Sequence, residues 1–294
     1  MGLGCGHLPI ESRLFPVLPH SLGRRHNLDA NKKKLLEEIQ LFVLDMDGTF
    51  YMGDHIIEGA LDFIHICRER GKRFLFFTNN SSQSPENYIK KLGKMGCEIE
   101  RDQIMTSGDV AIRFLNREYP GASVFLMGTP PLEENMRESG ICLTDGKADI
   151  VMAAFDKTLT YEKLEKGCTL IREGAIFLAT HPDINCPTDN GFIPDCGAIC
   201  AAMTLSTGIK PRYLGKPYKE TAQMIFDKTK VPTERTGFVG DRLYTDVDTG
   251  VNHGGKGLLV LSGETRLEDL KASEIKPDAV FESLGEIGRC LADI

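Results

Sequence analysis

The chain has 294 residues, of which 41% are hydrophobic and 26% charged, and its formal net charge is −7. That length predicts about two domains with a sizeable core, and the composition excludes wholesale disorder or a collagen-like fibre. The acidic balance gives no general attraction to nucleic acid or an anionic membrane, and no apolar run approaches the roughly 18 residues a membrane helix needs. The nine cysteines are odd in number and scattered, which predicts reduced thiols and a cytoplasmic protein and not a disulfide scaffold. The densest set is Cys186, Cys196 and Cys200 with His181 upstream. A soft-metal site and a set of small core-lining residues both fit that spacing, and the absence of a CxxC pair favours the second.

Residues 1–34 are basic and poorly periodic and read as a flexible extension. They lack a signal-peptide apolar stretch, and Gly6 sits where a myristoylation signal needs Ser or Thr. Beyond them short apolar runs alternate with helical periodicity. Leu41–Leu44 and Arg73–Phe77 read as buried strands on either side of a helix over 58–70. Pro85–Met95 reads as a helix capped by Ser84, Ile104–Thr106 as a strand, and 109–118 as a helix. After Pro120-Gly121 a second α/β unit begins, with strands at 123–127, 150–154 and 176–179 and helices at 130–139, 161–173 and 196–207. From Gly208 onward the first rhythm resumes: helix 219–230, strand 236–239, helix 245–253, strands 257–261 and 279–281, and helix 284–292. The β-then-α order predicts a parallel sheet with helices on its faces. The expected organisation is a discontinuous core, 35–120 and 210–294, with an α/β insertion over 121–209.

Four segments at predicted strand ends carry chemistry. Asp45-Met46-Asp47-Gly48-Thr49 follows the strand Leu41–Leu44, and ligands of parallel sheets bind beyond the carboxyl ends of the strands. Two carboxylates spaced in this way can divide the work, one attacking or holding metal and the other handling protons. Thr78-Asn79-Asn80-Ser81-Ser82 offers hydroxyl, amide and backbone donors suited to an anion. Lys216 lies just after the return from the insertion, and Gly240-Asp241 with Thr245-Asp246 puts further carboxylates at a strand end. Gly250 to Lys256 has P-loop spacing, but it precedes a strand and lacks the following Ser or Thr, so a nucleotide-binding reading fails on context.

In this order the segments resemble the motifs of the haloacid dehalogenase superfamily. Asp45-x-Asp47-Gly48-Thr49 is similar to the first motif, Thr78 to the second, Lys216 to the third, and Gly240-Asp241 with Thr245-Asp246 to the fourth. The long interval between Thr78 and Lys216, together with Thr78-Asn79-Asn80, Gly240-Asp241-Arg242-Leu243 and Leu259–Thr265, resembles the NagD-like branch. The resemblance implies a Rossmann-like core with an inserted α/β cap of type C2. It also implies a Mg²⁺-dependent phosphatase working through an aspartyl-phosphate. On this reading Asp45 is the nucleophile, and Asp47 protonates the leaving alcohol and then activates water. Mg²⁺ is held by the side chains of Asp45 and Asp241 and the main-chain carbonyl of Asp47. Thr78, the Asn79 backbone and Lys216 grip the phosphoryl oxygens, and Asp246 steadies Lys216 or a metal-bound water.

The cap implies small substrates: a sugar phosphate, phosphoglycolate, a nucleotide or pyridoxal phosphate. The resemblance also allows a homodimer formed through the cap. Three positions depart from the pattern. Phe50 replaces the usual Leu, which reads as packing. His181 and Asp195 lie where the branch commonly reads closer to Asn-Pro-Asp and Pro-Gly-x-Gly, so they bear on the substrate as cap contacts or mark lineage drift. A phosphotransferase or mutase using the same aspartyl-phosphate is the alternative within this chemistry. A non-catalytic phosphometabolite-binding protein is the alternative outside it, disfavoured because both first-motif aspartates are present.

Overall fold

The computed structural model describes residues 30–188 and 191–294. The expected extension lies outside the described residues as far as position 29. Its last residues instead begin a helix, Ala30–Glu38, because Leu36 is fully buried and Lys32 pairs with Glu286 and lies over the Phe281 ring.

Six strands form the first sheet, in the order Ala279–Phe281, Lys256–Val260, Thr236–Gly240, Leu41–Leu44, Arg73–Thr78, Ile104–Thr106, and every pairing is parallel. The central strand Leu41–Leu44 is buried throughout, as its unbroken apolar run predicts for a parallel sheet covered on both faces. Its side chains still alternate: Phe42 and Leu44 enter one core cluster with Phe76 and Val239, and Leu41 and Val43 enter another on the opposite face.

A second sheet holds five parallel strands, in the order Arg212–Tyr213, Ile176–Ala179, Ile150–Ala153, Ser123–Met127, Cys142–Leu143. Arg212–Tyr213 belongs to this sheet, so the chain returns to the first sheet after Tyr213. One buried cluster includes Val43, Leu75 and Phe77 from the first sheet and Ile150, Met152 and Leu178 from the second. Burying apolar surface from both units in one core fixes the second over the first.

Local signals set the helix starts. Ser84 accepts from the Asn87 N–H ahead of Pro85–Lys94, and Thr106 forms a reciprocal capping box with Asp109, so that helix begins at Ser107 and not at 109. The helix expected over 245–253 is instead a π-helical turn, Leu243–Val247, running into Asp248–Asn252. The widened turn carries Thr245 and Asp246, and such turns recur at functional sites. Two hairpins escape the sequence reading. Tyr51–Met52 pairs with His55–Ile56 around Gly53, which has a positive φ of 58°. Asn185–Thr188 pairs with Gly191–Pro194.

Candidate active site

Strand register assembles the site. Leu44 is paired with Val239 on one side and Phe76 on the other, so the next residues along the three strands are Asp45, Gly240 and Phe77. The Asp45 N–H donates to Val239 O at 2.9 Å and holds the residue on the strand line. This is the point where the sheet order reverses, with Arg73–Thr78 on one side and Thr236–Gly240 on the other. A tight turn follows, in which the N–H groups of Thr49, Phe50 and Tyr51 converge on Met46 O at 3.3, 2.8 and 3.1 Å. Gly48 makes the turn with φ 82°, and a Cβ there would collide with the Asp241 carboxylate. Phe50 packs edge-on against Phe76, with ring centroids 4.8 Å apart, so its departure from the motif is one of packing. The Tyr51 hydroxyl donates to Asp47 Oδ2 at 3.3 Å. Burial pushes the Asp47 carboxyl up from the usual carboxylate range, against the opposing charge of Lys91.

Lys216 is the hub. Its Nζ donates to Asp45 Oδ1 at 2.6 Å, Asp246 Oδ1 at 2.5 Å and Phe77 O at 3.2 Å. Burial opposes its charge, but Asp246 and Asp45 outweigh that and raise its pKa. Asn79 holds the lysine's backbone at both ends: its Oδ1 accepts from the Lys216 N–H at 2.9 Å, and its Nδ2 donates to Lys216 O at 3.1 Å. Thr78 Oγ1 accepts from the Asn80 N–H at 3.1 Å, which shapes the loop of donors.

Asp45, Asp241 and Asp246 bring carboxylate oxygens within 4.8 Å of one another. Burial first, and then Asp246, push Asp241 up to about 6, and burial also raises Asp45 well above its ordinary range despite Lys216. Asp241 Oδ2 accepts from the Glu264 N–H at 2.7 Å, whereas its buried Oδ1 has no partner. An orphaned carboxylate oxygen is costly unless a ligand completes it. Hard oxygen donors in this setting fit a divalent cation such as Mg²⁺. Gly263 passes so close that a Cβ there would strike the Asp241 carboxylate. Gly263→Ala is therefore expected to displace Asp241 and weaken Mg²⁺ binding by about 10–100-fold, measured by calorimetry. An unchanged affinity would contradict the placement of the cation.

The second unit closes over these groups. One cavity is lined by Asp45, Asp47, Thr78, Asn79, Lys216 and Asp246 from below, and by Asp183, Asn185, Cys186, Pro187 and Asp195 from above. Asp183 bridges the layers: Oδ1 accepts from Asn79 Nδ2 at 3.1 Å, and Oδ2 from Arg242 at 3.3 Å. His181 does not reach the cavity. It is fully buried, with Nε2 2.9 Å from Asp195 Oδ1 and Nδ1 2.9 Å from Thr180 Oγ1. Burial opposes its protonation, but Asp195 and further neighbours push it up to about 9.

His181, Asp183 and Asp195 are close enough to hold a metal ion, but both ring nitrogens of His181, both carboxylate oxygens of Asp183 and Oδ1 of Asp195 already have protein partners, which leaves that set only Asp195 Oδ2. Cys196 and Cys200 lie 4.0 Å apart in the core of the second unit, while Cys186 stands on the hairpin. Cys196 and Cys200 are fully buried members of that core cluster, as the core-lining reading expects.

Sequence reasoning assigned no role to Tyr51, Asp183 or Arg242. Each stands within or beside a quoted motif segment, and that adjacency was the available signal. Asn185, Cys186 and Pro187 lie on the hairpin that the sequence reading did not predict.

Comparison with known proteins follows the same lines. A family model described as haloacid dehalogenase-like hydrolase matches residues 42–142, and a HAD-hydrolase-like model matches 213–287. An acid sugar phosphatase of Staphylococcus aureus is 32% identical over 252 residues, covering 85% of this chain and 97% of that protein. The crystal structure of a 4-nitrophenylphosphatase from Thermotoga maritima superposes with TM-score 0.84 at 46% identity, covering 87% of this chain and 98% of that one. NagD from Escherichia coli K-12 gives TM-score 0.79 at 29% identity, over 84% of this chain and 98% of that one.

Proposed function

Because the chain belongs to the haloacid dehalogenase-like hydrolases, in their NagD-like branch, and is a phosphatase, we propose that it hydrolyses phosphomonoesters of small metabolites through an aspartyl-phosphate on Asp45, with Mg²⁺ as cofactor. The observation that carries this reading is the salt-bridged Asp45–Lys216–Asp246 array at the strand ends, beside a buried carboxylate oxygen of Asp241 that lacks a partner.

Asp45 attacks phosphorus, and the bond from phosphorus to the leaving oxygen breaks. Asp47, whose burial shifts its pKa in the direction an acid requires, gives its proton to that oxygen, a contribution of about 10²–10⁴-fold for a positioned acid. The hydroxyl of Tyr51 orients Asp47 for the transfer. Asp47, now a carboxylate, takes a proton from water as the water attacks phosphorus, which frees Asp45 and inorganic phosphate. Lys216 and the Thr78–Asn79 loop bind the phosphoryl oxygens, and the Asn79 side chain keeps Lys216 in place. Mg²⁺, held by Asp45, Asp241 and the Asp47 carbonyl, supplies charge neutralisation that lets a carboxylate approach a phosphate dianion.

The cap closing over the cavity supports small substrates. The relatives named for sugar phosphate and nitrophenyl phosphate support the same class. No helix among the described residues is long and apolar enough to cross a membrane. The described cysteines are free thiols, which fits a reducing, cytoplasmic location. The test is phosphate release from para-nitrophenyl phosphate and a metabolite panel. Turnover is expected with Mg²⁺, lost on chelation with EDTA, and restored by excess Mg²⁺. Full activity in metal-free protein would overturn the cofactor assignment.

A further inference from the structure

Two positions at which this chain departs from the pattern of its branch touch one another. His181 and Asp195 stand 14 residues apart and meet at 2.9 Å in a fully buried contact. Asp195 also starts the helix Cys196–Thr207 and accepts from the Cys196 N–H at 2.5 Å. Both bonds fall on Oδ1. Oδ2 takes none from the described residues, and Asp195 lines the cavity that holds Asp45 and Asp47. The imidazole stands behind the carboxylate, held on its far side by Thr180, whose Oγ1 is 3.0 Å from Ser81 Oγ of the phosphate loop. The pair is therefore built into the framework as a rigid unit that presents a carboxylate oxygen to whatever occupies the cavity beneath it.

The charges around that oxygen are already committed. Of the cations lining the cavity, Lys216 is paired with Asp45 and Asp246, and Arg242 with Asp183 at 3.3 Å and Glu264 at 2.9 Å. On the cap side a leaving group meets Asp183, Asn185, Cys186, Pro187 and Asp195, and no unpaired cation among the described residues. A carboxylate there would meet the oxygens of Asp183 and Asp195 with no cation left to pair with, because Arg242 and His181 are already engaged by those two residues, whereas hydroxyl and ammonium groups find acceptors. Resting on the phosphatase reading above, we propose that the His181–Asp195 pair makes this cavity select phosphomonoesters whose leaving group carries hydroxyl or ammonium donors over those carrying a carboxylate. Asp195 is the specificity residue, and His181 is the positioning residue that holds it.

The test compares kcat/KM for hydroxyethyl phosphate and phosphoglycolate, which differ only in a hydroxymethyl or carboxylate group, using the full chain with saturating Mg²⁺. The parent is expected to prefer hydroxyethyl phosphate by at least about tenfold, the scale set by opposing like charges. Asp195→Asn keeps the side-chain shape and its capping oxygen, and it is expected to shrink that preference by about tenfold. His181→Asn shrinks it in the same direction and by less. If either single variant fails to fold, H181N/D195G supplies the residues more common in the branch and is expected to lose the preference. Equal or better use of phosphoglycolate by the parent overturns the inference and leaves the phosphatase reading intact. Variants that slow both substrates equally also overturn it, because a purely structural role leaves the ratio unmoved. No turnover of either substrate, nor of para-nitrophenyl phosphate, overturns the phosphatase reading and this inference with it.

Discussion

Asp45→Asn is expected to lower kcat by about 10⁴-fold or more, the scale on which a residue acting in concert with its neighbours fails when removed. The amide has nearly the volume of the carboxylate and can still accept from Lys216 Nζ, which lies 2.6 Å from Asp45 Oδ1. What it loses is the charge that makes the oxygen a nucleophile. Stability should move the other way in metal-free protein. The Asp45 pKa is raised above its ordinary value, chiefly by burial, so the folded state holds its proton more tightly than the unfolded state does. A carboxyl of that kind costs stability as the pH rises above its unfolded value, and the neutral amide escapes the cost. Metal-free Asp45→Asn should therefore melt no lower than the metal-free parent at neutral pH. Thermal unfolding and phosphate release, measured on the same preparation, separate lost chemistry from lost fold. Activity surviving in the folded variant would remove Asp45 from the nucleophile's role.

The second large effect is expected at Lys216. Lys216→Met keeps most of the aliphatic stem but leaves the Asp45 and Asp246 carboxylates without their shared cation. Removing one partner of a buried ion pair typically costs about 3–5 kcal/mol, because the remaining charge has nothing to offset its desolvation. Denaturant unfolding without metal should show a loss on that scale. Activity should fall by about 10²–10³-fold even in variant protein stabilised by Mg²⁺, the magnitude seen when one donor to developing charge is lost. Lys216→Arg is no safe control, since a planar guanidinium fork cannot reproduce the contacts that one ammonium makes to Asp45, Asp246 and Phe77 O. A variant with parental stability and parental kcat would contradict both uses of the lysine.

The arrangement of the site was legible where local pattern and register coincide. Unbroken apolar runs identified the buried strands around Asp45, Thr78 and Asp241, and parallel register then places those strand ends side by side. What stayed hidden is non-local or too short to have a period. Strands of two residues, such as Tyr51–Met52 and Arg212–Tyr213, carry no alternation to read. The Asn79 side chain looked like part of an anion-binding loop. Its actual partners, Lys216 and Asp183, are distant in sequence and come from separate elements. His181 and Asp195 were two unrelated departures in the sequence, and only folding shows that each accounts for the other. The π-helical turn at Leu243–Val247 is invisible to a 3.6-residue pattern because it changes the period.

The central claim is transfer of the phosphoryl group to Asp45. Rapid acid quench during turnover of para-nitrophenyl phosphate, whose nitrophenolate leaves without needing a proton, followed by peptide mass mapping, tests it most directly, with Asp47→Asn as the variant that still forms the acyl-phosphate from this ester but lacks the base to hydrolyse it. The account predicts one phosphoryl group on the peptide containing Asp45, scarce in the parent and accumulating in Asp47→Asn, and absent from Asp45→Asn. A phosphoryl group on any other residue, or none in Asp47→Asn while the parent turns over under the same conditions, would contradict it.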